Sequence, residues 1–256
     1  MKSTERHKLK ENEFARSVAH ARDLVETRGG DIGRVVVAVV VIGAVVLGYS
    51  WWRQSRNTRA TASLAQAVAI YEAPVVVPAA PAPGSPMPVQ QAGTYQTEQA
   101  KLEAALPKLM ETAEQYPSAD AGLTARYYAA SALASLGRYA EAEQRFQEVA
   151  DKAGSKIYGR TAKLGQADAQ VAQGKYDSAI AIYKELAATA KDHIPTDGVL
   201  MALGRASVKA GKMDEATRAF QRVVDEFPTS VYSADARREL EEVRKGSATA
   251  AATSGR

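Results

Sequence analysis

Five residues, Gly137, Tyr139, Ala142, Phe146 and Val149, recur 37 positions later as Gly174, Tyr176, Ala179, Tyr183 and Leu186, and again as Gly211, Met213, Ala216, Phe220 and Val223. A period of this length is one helical hairpin, too small to bury its apolar face alone and stable only when stacked on copies of itself. The repeat therefore restricts this part of the chain to an all-α solenoid of hairpins. Stacks of this kind expose long continuous surfaces to partners; the class of function they imply is binding.

Each recurring type in the period has a mechanical reason. The glycine, Gly137, Gly174 or Gly211, supplies a left-handed turn after the first helix of the hairpin. The alanine, Ala142, Ala179 or Ala216, lets the second helix approach the first. The aromatic one turn on, Phe146, Tyr183 or Phe220, fills the seam. Over residues 95–245 this pattern resembles the tetratricopeptide repeat (TPR). The third unit matches best, with Leu203-Gly204 in its first helix, Ala216 and Phe220 in its second, and Pro228 at its close. The earlier units carry Ala129-Ala130 and Gln166-Ala167 in place of Leu-Gly, which keeps a small residue at the close approach.

The same step exposes incomplete units at both ends. Stepping back from Ala142 and Phe146 reaches Ala105 and Leu109, in a helical stretch from about Thr97 to Gln115 that behaves as a second helix. Its first helix is expected over residues 63–72, where Leu64, Val68 and Tyr71 share a face. Residues 73–94, rich in Pro and Ala, then form either an insertion within that hairpin or a spacer, a proline-peptide docking motif being a third reading that the lack of basic or aromatic neighbours disfavours. Tyr116-Pro117-Ser118 recurs as Phe227-Pro228-Thr229 three steps later, after which residues 233–244 read as a charge-rich helix that seals the stack. A disordered tail is expected over 246–256.

Upstream lies a different kind of segment. Residues 35–52, VVVAVVVIGAVVLGYSWW, carry no charge and are bounded by Arg34 and Arg53. As a helix they span about 27 Å, close to a bilayer's hydrocarbon thickness. Tyr49, Trp51 and Trp52 gather at one end, where amphipathic rings favour the headgroup level. Ala60-Thr61-Ala62 has the form of a signal-peptidase site, but Arg53, Arg56 and Arg59 intervene, and a retained transmembrane helix is the expectation. Residues 1–34 hold eight Lys or Arg and are expected to stay in the cytoplasm, with the repeats on the other side of the membrane. Within 15 residues of the span the two sides tie at three basic residues each.

Leu9, Phe14, Val18, Ala21 and Val25 give that tail an amphipathic pattern, and Gly29-Gly30 is expected to stop its helix. The tail then either lies on the membrane or docks a partner, or is a solvated stalk. Residues 53–72 are expected to form a separate membrane-proximal helix. Ala44 and Gly48 form a small-xxx-small pair open to helix association, although such residues are common in membrane helices.

Several functions are disfavoured by composition. Residues 1–34 balance eight basic against six acidic residues, and the remainder 25 against 23, so no block of positive charge invites nucleic acid. The chain has no cysteine. No phosphate-binding Gly-rich loop, Gly-x-Ser-x-Gly elbow or His-Glu-x-x-His occurs, and only His193 falls in the repeat part. His7 and His20 lack acidic neighbours at ligand spacing. Glu141, Glu143, Asp214 and Glu215 fall near helix starts, where they favour the macrodipole. No catalytic residue, metal or cofactor is expected.

TPR stacks commonly bind along the face lined by their first helices, and the resemblance carries that face onto Tyr127 and Ser131, Leu164 and Asp168, Met201 and Arg205, with Arg238 on the sealing helix. Each residue either lines a groove or fills the core between adjacent hairpins; the sequence admits both. The complete layout is a cytoplasmic tail, one membrane helix, an Ala-rich helix ending in Tyr-Glu-Ala-Pro, and TPR-like hairpins. It resembles the ancillary subunits of the SecYEG translocon, single-pass inner-membrane proteins. That resemblance implies an adaptor that meets translocon subunits, emerging chains or periplasmic chaperones. A scaffold of another envelope assembly, in cell division or outer-membrane machinery, and a receptor signalling through the tail are the alternatives.

Overall fold

The computed structural model describes the backbone of residues 3–77, 91–154, 157–189 and 194–254; side chains are described from Arg34 to Gly246 within those segments, Val36 excepted. The chain divides into two compact units, Met1–Arg56 and Asn57–Arg256. Among the described residues all regular structure is helical: α1 Ser3–Tyr71, α2 Glu98–Gln115, α3 Asp120–Ser135, α4 Tyr139–Ala153, α5 Ile157–Ala172, α6 Tyr176–Thr189, α7 Thr196–Lys209, α8 Met213–Glu226 and α9 Ser233–Ser254.

The first unit corrects the expected segmentation of the N-terminus. Gly29-Gly30 do not end a helix; α1 runs through them and through the apolar stretch without a break. Glycine retains its backbone donor, and its penalty of about 1 kcal/mol relative to alanine is borne by a long flanking helix. The expected 35–52 and 53–72 helices are accordingly one, which ends at Tyr71. Val35, Val39, Ile42, Leu47 and Trp51 all lie exposed, and this helix is long and apolar enough to cross a membrane.

The second unit is the stack. The last turns of α1 bury Ala60 and Ala67, and Ala67 joins Leu102, Ala105, Leu106 and Leu109 of α2 in one apolar cluster. Ser63 Oγ and Thr112 Oγ1 lie 2.7 Å apart across the same pair. Residues 63–71 therefore pack as the first helix of the α2 hairpin, and the proline-rich stretch falls within that hairpin. Its two ends are pinned together by a parallel bridge, with Val76 N–H donating to the Tyr95 carbonyl at 2.8 Å and Tyr95 N–H to Pro74 at 3.1 Å. Thr97 caps α2, its hydroxyl accepting from Ala100 N–H.

Three hairpins follow, α3–α4, α5–α6 and α7–α8, with matching turns. Gly137, Gly174 and Gly211 have φ of 76°, 76° and 74°. The next residue in each case, Arg138, Lys175 or Lys212, donates its N–H back to Leu133, Gln170 or Ser207 at 2.9, 2.9 and 2.8 Å, which satisfies a carbonyl that the helix end leaves open. In the seams, Ala142, Ala179 and Ala216 are each 0% exposed, and Phe146, Tyr183 and Phe220 are buried beside them. The Tyr-Pro and Phe-Pro turns also coincide: Tyr116 and Phe227 end α2 and α8 at φ/ψ of −125°/55° and −132°/56°.

The sealing helix α9 buries Ala236, Leu240 and Val243. It continues to Ser254, past residue 246 where a disordered tail was expected. Successive hairpins are also joined by ion pairs. Lys175, after Gly174, reaches Glu143 at 2.8 Å and Lys212, after Gly211, reaches Asp177 at 2.7 Å, so both grip the second helix of the preceding hairpin, whereas Arg138, after Gly137, pairs with Glu141 of its own hairpin at 2.6 Å.

Candidate partner-binding groove

The first helices of the hairpins lie side by side, and their shared face carries two linked cavities. One, of about 320 Å³, is lined by Tyr127, Ser131, Tyr139, Phe146, Leu164 and Asp168. The other, of about 260 Å³, is lined by Asp168, Tyr183, Met201, Arg205, Lys209 and Tyr232. Asp168 belongs to both. Tyr127, Ser131, Leu164 and Asp168 are thus brought together at one end, and Asp168, Met201 and Arg205 at the other.

Two of the expected groove residues serve differently. Met201 is only 1% exposed and belongs to the core, where a thioether fills the space between α7 and its neighbours. Arg238 lies outside both cavities, its guanidinium paired with Asp235 at 2.9 Å on the exposed side of α9. Leu164 is half-buried against the core and also lines the first cavity. His193 lies outside the described residues, as do the side chains of His7 and His20.

Aromatic rings continue the first cavity along the stack. Tyr127 of α3 meets Tyr128, Phe146 and Tyr158 with ring centroids at 6.1, 5.7 and 6.0 Å, and Tyr128 meets Tyr71 of α1 at 5.1 Å, all edge to face. Such pairs add roughly 0.5–1.5 kcal/mol each beyond their buried area. Burial raises the pKa of the Tyr71 and Tyr127 hydroxyls, so both rings stay neutral. The 37-residue step does not single out Tyr71, Tyr128 and Tyr158 as groove residues, because Tyr158 aligns with Pro195 one step on.

At the junction of the cavities, the Tyr183 hydroxyl donates to Asp168 Oδ1 at 2.5 Å. Burial raises the Asp168 pKa and the Tyr183 bond opposes the rise. Burial, with the neighbouring carboxylate, also raises Tyr183. Farther along, Arg205 donates to Glu239 of α9 at 2.7 Å and lies 3.9 Å from Asp235, an arrangement that ties the sealing helix to α7. That hydrogen bond holds the Arg205 pKa above its usual value.

Glycines set how closely the walls approach. A Cβ at Gly204 would lie 2.4 Å from the Phe220 ring, within one hairpin, and one at Gly165 would lie 2.6 Å from the Phe146 ring of the preceding hairpin. Gly122 and Gly159 are the third residues of α3 and α5, where a Cβ would meet the carbonyl oxygens of Tyr116 and Gly154 at 1.8 and 2.0 Å. These two are themselves one 37-residue step apart, a signal that the sequence carried.

The sequence profile of the tetratricopeptide repeat-like domain matches residues 31–244. The chain belongs to the TPR-like family. Among solved structures it is similar to the nearly identical TPR-like repeats of a Podosopora anserina kinesin light chain, and to a point variant of the same repeats. Both share 16% identity and a TM-score of 0.52, each match covering 59% of this chain and, respectively, 82% and 81% of theirs. A tetratricopeptide repeat protein from Parabacteroides merdae is 15% identical over 58% of this chain and 56% of its own, with a TM-score of 0.49. At such identities the Podosopora likeness is one of fold. No curated protein sequence matches. A TPR-like fold is characteristically a non-catalytic scaffold for protein interaction, and the open cavities of this one lie on the face formed by its first helices.

Proposed function

We propose that this TPR-like protein is a single-pass inner-membrane adaptor whose periplasmic groove holds extended or helical segments of protein partners during envelope protein translocation. The observation that carries the binding reading is the open aromatic face from Tyr71 through Tyr127 to Tyr158, continuous with the Asp168 cavities. Amphipathic rings that lose little conformational freedom on contact suit a surface that accepts apolar peptide. The charge-free run from Val35 to Trp52, in which Val39, Ile42, Leu47 and Trp51 lie exposed, supports the tether. The resemblance in layout to ancillary SecYEG subunits supports translocation over cell-division or outer-membrane assembly.

Two measurements test this reading. Photo-crosslinking from Tyr127 and Tyr158 in intact membranes is expected to recover translocon subunits or periplasmic chaperones; their consistent absence, with other envelope proteins recovered instead, overturns the translocon placement. Met201 is unsuitable for such labelling because it is buried. A reporter active only outside the cytoplasm, fused after Arg256, is expected to be active, and a stable but silent fusion overturns the topology.

A further inference from the structure

The first cavity has an uncommon balance of chemistry. Its walls are aromatic and hydroxylic, with Tyr127, Tyr139 and Phe146 on one side and Ser131 and Thr161 nearby, and among the described residues Asp168 is its sole charged one. No cation among the described residues forms an ion pair with Asp168, although exposed Lys and Arg elsewhere in the stack are widely paired. Its one hydrogen bond among the described residues comes from Tyr183, which is held 2% exposed in the core, occupies Oδ1, and leaves Oδ2 without a donor. An exposed carboxylate fixed by a buried phenol at the end of an aromatic cavity is a receptor for positive charge carried on an apolar stem.

We propose that this cavity is a pocket for a lysine or arginine side chain of the bound partner, with its methylenes against Tyr127, Tyr139 and Phe146 and its charged head on Asp168. Charge complementarity selects that occupant: among the described residues a carboxylate is the only ion lining the cavity, and the faces of Tyr and Phe attract cations further. A glutamate or aspartate would meet repulsion at Asp168. Beyond it, Arg205 and Lys209 line the second cavity, so the next residues of the partner on that side are expected to be neutral or acidic. This assignment rests on the groove being the partner-binding face and adds which side chain it selects.

The test uses the full-length chain in lipid nanodiscs with a photoreactive residue at Tyr158, a random nine-residue peptide library as probe, and sequencing of the captured peptides. Lys and Arg are expected to be enriched about fivefold over the library, the scale of one partly exposed charge-assisted contact. Asp168→Asn, nearly isosteric, is expected to erase the enrichment, and Asp168→Glu to retain most of it. Captured peptides without basic enrichment, or enrichment that survives Asp168→Asn, overturn the cation pocket and leave the groove reading intact. Capture no greater than from a label at Arg222, on the second helix of its hairpin, overturns both.

Discussion

A methyl group at Gly204 would sit 2.4 Å from the ring of Phe220, a side chain 0% exposed and without room to swing aside. Gly→Ala inside a helix gains about 1 kcal/mol in propensity, whereas overpacking a close seam costs about 1–3. The second effect is expected to win: Gly204→Ala lowers stability by about 1 kcal/mol, read as a lower denaturant midpoint with unchanged slope. Gly122→Ala should be the worse change, by about 3 kcal/mol or more, since its neighbour is a backbone carbonyl rather than a ring. That carbonyl also accepts the Ala119 N–H and cannot move without opening the turn. A Gly204→Ala protein more stable than the wild type would show that the hairpin relaxes freely and that the seam is not set by this pair.

Between elements, cohesion depends on polar groups that answer one another across hairpins. Glu143 of α4 accepts from Gln170 at 2.9 Å, Gln173 at 2.8 Å and Lys175 at 2.8 Å. Burial works against the charged carboxylate, but the three donors outweigh it and hold the Glu143 pKa below its usual value. A depressed carboxylate stabilises the fold above its unfolded pKa and ceases to do so as pH falls through the folded one. Glu143→Gln is therefore expected to cost about 0.5–1 kcal/mol at neutral pH, a modest figure because Lys175 is half exposed. The two proteins should converge in acid, as urea titrations on both sides of that range would show; a constant difference at every pH would mean that Glu143 acts through shape alone. The sequence places Glu143 near a helix start and suggests the macrodipole, because its three donors come from the next hairpin and no local pattern announces them. What local chemistry dictates was legible: turn glycines at positive φ, seam alanines, the recurring proline turns and the first helix folded back on α2. The Tyr183–Asp168 bond was not, since a buried phenol's aim is decided by packing. Nor did Gly29-Gly30 act as read, because glycine discourages a helix without forbidding it.

At the scale of the whole molecule, two units with separate requirements share one chain. The second has its own core, from Ala67 to Val243, and needs nothing from a bilayer to bury its apolar residues. The first exposes Val35, Val37, Val39, Val40, Val41, Ile42, Val45, Val46 and Leu47, a surface that water does not tolerate and that lipid does. The two should therefore respond independently to a charge placed in the apolar run. In the proposed tether, insertion of this run is favoured by roughly 3–6 kcal/mol, and one arginine at the centre costs about 3, so Val41→Arg is expected to weaken membrane retention without abolishing it. A second arginine at Val45 doubles the penalty and should release the protein into the alkaline-extracted supernatant. Throughout the series the thermal transition of the repeats should hold constant, because no residue of their core has changed. A Val41→Arg, Val45→Arg protein that still floats with membranes would mean that something other than this helix holds the chain there, and the tether would have to be sought in the groove's partners.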